Sequence, residues 1–92
     1  MKKAVHIIVK GRVQGVGYRW FTKQVARELG IAGFVRNLPN GDVEVVAVGE
    51  EDPLERFIAQ LNKGPAFAYV TDLQIEPLPL EQAPYRSFEV TF

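Results

Sequence analysis

The chain has 92 residues, 47% of them hydrophobic and 24% charged, which fits one small domain with a packed core and not a disordered segment. Eleven basic residues balance eleven acidic ones, so there is no net positive field to draw the chain to nucleic acid or an anionic membrane. With no cysteine, disulfides, thiolate-bound metals and a thiol nucleophile are all excluded.

From the start of the chain, Ala4 to Lys10 alternates, with Val5, Ile7 and Val9 on one face, and predicts a first strand. The apolar run inside it is too short for a signal peptide or a membrane span, so a cytoplasmic location is expected. His6 falls on the other face and reads as an ordinary strand residue. Gly11 to Gly17 is punctuated by glycine. After it, Trp20, Phe21, Val25, Ala26 and Leu29 recur at helical spacing, so a first helix is predicted from about Arg19 to Leu29, closed by Gly30. Trp20 and Phe21, like Phe57 further on, are expected in the core. Gly33 to Leu38 predicts a second strand, Pro39-Asn40-Gly41 a hairpin turn and Asp42 to Gly49 a third strand. Asp52, Pro53 and Glu55 have the spacing of a capped helix start, with Asp52 as the cap. Leu54, Phe57, Ile58 and Leu61 then form one stripe, and Gly64-Pro65 ends this second helix. Phe67 to Ile75 predicts a fourth strand, Glu76 to Pro84 a proline-rich connection, and Phe88 to Phe92 a short last strand.

The order is βαββαβ, with room for an extra strand. It predicts an α+β, ferredoxin-like sandwich: two helices on one face of an antiparallel sheet of four to five strands, in a single domain over residues 1–92. In that arrangement the third strand lies between the first two, which run parallel to each other. The loop after the first strand and the end of the second, at Asn37, then face each other across the third strand.

The two helices begin differently. Between Gly11 and Arg19 there is no Ser, Thr, Asp or Asn to cap the first, so its leading N–H groups lack a local side-chain partner. Arg19 adds a cation where the helix dipole is already positive, and Arg12 adds another nearby. These features converge favourably only around an anion, so a phosphate or sulfate ion is expected in the loop. Glycine spacing alone leaves a plain strand-to-helix turn with Arg19 solvated as an open alternative. Likewise, Asn37 alone reads as a turn residue beside Pro39-Asn40-Gly41. The loop is neither a Walker A motif nor a dinucleotide fingerprint. It is similar to the loop of cysteine-dependent phosphatases in placing five residues before an arginine, but Val13 stands where their cysteine would be. The nucleophile is therefore expected to be water. One serine (Ser87) and one histidine (His6) leave little else to supply a nucleophile, and no cluster has metal-ligand spacing.

The whole string Gly11-Arg12-Val13-Gln14-Gly15-Val16-Gly17-Tyr18-Arg19 resembles the signature loop of the acylphosphatase family, and Gly33 to Val43 resembles its second signature. Chain length, element order and the Lys63-Gly64-Pro65 helix end fit as well, so the resemblance covers nearly the whole chain. It implies hydrolysis of the carboxyl-phosphate anhydride of acyl phosphates without metal or cofactor. By motif position, Arg19 would bind the phosphate and Asn37 would orient the attacking water. The backbone N–H groups of Val13, Gln14, Gly15, Val16, Gly17 and Tyr18 would cradle the phosphoryl oxygens. Tyr18 stands where many members carry phenylalanine and keeps the aromatic ring.

Ferredoxin-like domains also bind RNA, but the aromatic strand motif is only faintly echoed by Gly33-Phe34-Val35-Arg36, and no nucleic-acid partner is expected. Acylphosphatase-like domains also begin some larger maturation enzymes. Met1 and the strand ending at Phe92 favour an independent protein, expected to be a monomer.

Overall fold

The computed structural model describes all residues from Met1 to Phe92. In chain order the elements are β1 (Lys2–Arg12), α1 (Tyr18–Leu29), β2 (Ala32–Asn37), β3 (Val43–Glu50), α2 (Glu51–Lys63), β4 (Tyr69–Leu78), a 3-10 turn (Leu80–Gln82) and β5 (Phe88–Val90). They form a five-stranded sheet of order β4-β1-β3-β2-β5. β1 and β2 both pair antiparallel to the central β3, so they run parallel to each other. This is the expected ferredoxin-like α+β architecture. The fifth strand, whose place the sequence left open, adds parallel to β2 at the sheet edge and makes the sheet mixed.

The period of two in the strands separates the faces. Ile7, Val9, Val35, Val43, Val45 and Ala47 project to one side and meet Ala26 of α1 and Leu54, Phe57 and Leu61 of α2. Phe57 and Phe88 pack edge-on there, with centroids 5.8 Å apart. A smaller cluster of Ala4, Val46, Val48 and Ala83 lies on the opposite face, under the segment after β4. The polar part of that face holds His6, whose Nε2 lies 2.8 Å from Glu44 Oε2, with Arg36 donating to the same carboxylate. Burial would raise the Glu44 carboxyl, but the His6 and Arg36 hydrogen bonds outweigh it and hold it below its ordinary value. No helix is long and apolar enough to cross a membrane.

Four local expectations are corrected. β1 extends through Gly11 and Arg12, past a bulge in its pairing with β4, so the glycine loop proper is only Val13 to Gly17. β4 runs on to Leu78 through Pro77. As an edge strand it can carry a proline, because an edge position does not need every N–H. Helix α2 starts at Glu51, and no side chain caps it, Asp52 included. Its acids Glu51 and Asp52 lie in the first turn and act on the helix dipole as charges instead. Trp20 is 67% exposed. The buried stripe of α1 is Tyr18, Thr22 and Ala26, one residue per turn, and Trp20 points away from it.

Candidate active site

The loop from Val13 to Gly17 links β1 to α1. Gly15 (φ 73°) and Gly17 (φ 78°) both take left-handed conformations, which side chains disfavour, and Gly17 is the N-cap of α1. A glycine cap has no side chain to offer, and α1 has no acid in its first turn. None of the backbone N–H groups from Val13 to Gly17 donates to a backbone carbonyl. The helical ladder begins only at Phe21, whose N–H reaches the Gly17 carbonyl at 3.0 Å. A run of unpartnered donors therefore curls around the positive end of the helix.

Three side chains hold this loop in place. Val13 is buried in the core. Gln14 turns sideways, and its Nε2 donates to the Leu38 carbonyl at 2.7 Å and the Asp42 carbonyl at 2.8 Å. That staple ties the loop to the turn between β2 and β3, directly after Asn37. Tyr18 is only 1% exposed and donates its hydroxyl to the Leu61 carbonyl at 2.6 Å. In a continuing helix that carbonyl would accept the N–H four residues on, but residue 65 is proline and has none. The tyrosine hydroxyl takes its place and locks the start of α1 to the end of α2. Burial also pushes the phenol pKa up, which keeps the donor protonated. Tyr18→Phe orphans the Leu61 carbonyl and is expected to cost about 1–2 kcal/mol of unfolding free energy. Urea denaturation measures it, and an unchanged midpoint would mean that another donor replaces the hydroxyl.

Arg19 is the second residue of α1 and is half-buried. It makes no ion pair, and its guanidinium carbon lies 5.0 Å from the centroid of the Phe92 ring, a cation–π distance. Asn37 ends β2, opposite Val43 of β3. Its Oδ1 is buried and accepts no hydrogen bond. A buried acceptor without a partner costs about 1–3 kcal/mol, so this oxygen is a weak point of the fold at the end of β2.

Arg19 and Asn37 line one cavity of about 270 Å³, together with Val13, Gly15, Gly17, Tyr18, Trp20 and Val90. The structure thus brings together both side chains singled out in the sequence and four of the six loop residues. Gln14 and Val16 are not part of the wall: Gln14 acts through its staple, and Val16 packs against the core. Val90 enters the wall from β5, whose edge pairing no sequence pattern indicates. The Gln14 staple was also missed, because its acceptors are backbone carbonyls 24 and 28 residues away. The tyrosine link did have a signal, the proline that removes the natural partner of Leu61. A larger hollow of about 510 Å³ lies at the β5 edge beside Phe34, Arg36 and Tyr85. It has neither a helix N-terminus nor an orphaned acceptor. No group of three or more His, Asp or Glu side chains could hold a metal ion. Amide donors, a helix dipole and a guanidinium fit a tetrahedral anion, and the side-chain amide of Asn37 adds a polar group to the same wall.

Comparison with known proteins agrees with this geometry. The family model described as Acylphosphatase matches residues 5–90. An acylphosphatase of Archaeoglobus fulgidus is 48% identical over 89 residues, covering 97% of this chain and 98% of its own. The crystal structure of acylphosphatase from Bacillus subtilis superposes over the whole of both chains with a TM-score of 0.93 at 36% identity. An acylphosphatase structure from Coxiella burnetii has a TM-score of 0.91 at 38% identity, over 98% of this chain and 93% of that one. The cavity between loop and strand therefore sits in a chain that belongs to the acylphosphatase family.

Proposed function

We propose that this protein hydrolyses the carboxyl-phosphate anhydride of acyl phosphates, acting as a single-domain monomer over residues 1–92 without metal or cofactor. The phosphoryl group sits at the N-terminus of α1. Its oxygens accept from the loop N–H groups of Val13 to Tyr18 and from the Arg19 guanidinium, and inorganic phosphate or sulfate occupies the same cradle. The side-chain amide of Asn37, in the wall of the same cavity, holds a water and aims its oxygen at phosphorus. As the new P–O bond forms, the bond from phosphorus to the acyl oxygen breaks, and the carboxylate leaves with that electron pair. The water proton passes to a non-bridging phosphate oxygen. A carboxylate is a good leaving group, so no general acid is needed, and stabilisation falls on position and electrostatics.

The observation that carries this reading is the meeting of Asn37 and Arg19 in the wall of one cavity at the uncapped start of α1. The test is hydrolysis of benzoyl phosphate followed by ultraviolet absorbance, with excess chelator and with para-nitrophenyl phosphate as control. Rapid cleavage of the anhydride alone, insensitive to chelator, is expected. No cleavage by a folded protein would reduce the loop to an anion-binding site.

A further inference from the structure

We propose that Trp20 and Phe92 form an apolar rim that receives the acyl half of the substrate, so that aromatic and other uncharged, bulky acyl phosphates are preferred over acetyl phosphate. The inference rests on the placement of the phosphate proposed above. In-line displacement sets the attacking water and the leaving oxygen on opposite sides of phosphorus. The water stands beside Asn37, at the end of β2. The acyl group therefore leaves on the side away from Asn37. Trp20 is the most exposed side chain in the cavity wall, a large indole that the core does not use. Phe92 is 94% exposed, yet its ring stands over the Arg19 guanidinium. Large exposed aromatics beside a cleft are surfaces for apolar contact. Every wall residue other than Arg19 is uncharged, so nothing there matches a second charge on the acyl group.

The experiment compares kcat/KM for benzoyl and acetyl phosphate, each divided by its uncatalysed rate, in the wild type, Trp20→Ala and Phe92→Ala. The wild type is expected to favour benzoyl phosphate, and each variant to lose about tenfold of that preference, the order that a lost apolar contact gives. Trp20 is the only tryptophan, so its fluorescence gives a second readout that needs no variant. A benzoylphosphonate analogue is expected to shift the emission, and inorganic phosphate is expected to leave it in place. An unchanged preference in both variants, or an equal loss on both substrates with weaker phosphate inhibition, would overturn the rim and leave the hydrolysis standing. A wild type that cleaves neither substrate would overturn the underlying reaction instead.

Discussion

Arg19→Lys is expected to lower kcat/KM for benzoyl phosphate about 10³-fold, although the positive charge is kept. Arg19 occupies the first turn of α1, where a cation opposes the helix dipole and costs about 0.3–1 kcal/mol in the empty protein. No carboxylate offsets it, and its one close partner is the face of the Phe92 ring. That arrangement becomes favourable when a phosphoryl group, with charge spread over three oxygens, fills the space between guanidinium and loop. The planar fork of arginine meets two of those oxygens at once and holds the phosphorus in line with the water. Lysine offers a single point charge on a flexible stem, so it keeps attraction and loses geometry. Steady-state kinetics with a urea denaturation control separate activity from folding. Activity near the wild-type level in this variant would remove Arg19 from the centre of the reaction.

Asn37→Ala is expected to leave inhibition by inorganic phosphate within about threefold and to reduce kcat by about 10²–10³, as when one preorganised polar group is lost. Phosphate binding rests on the loop amides and Arg19, which the substitution does not touch. What disappears is the acceptor that fixes the water. The same buried oxygen has no partner in the protein, so its removal is expected to leave the urea midpoint unchanged or raise it. A loss confined to phosphate affinity would make Asn37 a binding residue. A marked loss of stability would make its amide a structural group with a partner in solution.

The sequence by itself determined the order of elements, because amphipathic periods of two and 3.6 are local properties of the chain. It also determined that α1 starts without a cap, since Gly15 and Gly17 stand where a capping side chain would be needed. The meeting of Arg19 and Asn37 was legible for a topological reason: with β3 between β1 and β2, the ends of β1 and β2 share one edge of the sheet. Packing decided the rest. Trp20 is apolar like its neighbours, but it lies two positions from both Tyr18 and Thr22, about 200° round the helix, and α1 buries the face with Tyr18, whose hydroxyl has a carbonyl to satisfy. Asp52 and Glu55 match a capping box, yet the chain turns into α2 directly from β3 and begins the helix two residues earlier, with Glu50 at the cap position. The edge position of β5 and the reach of Gln14 to Leu38 and Asp42 join residues far apart in sequence through backbone groups. Backbone groups are the same at every position, so no side-chain pattern announces such pairings, and only the folded chain selects them.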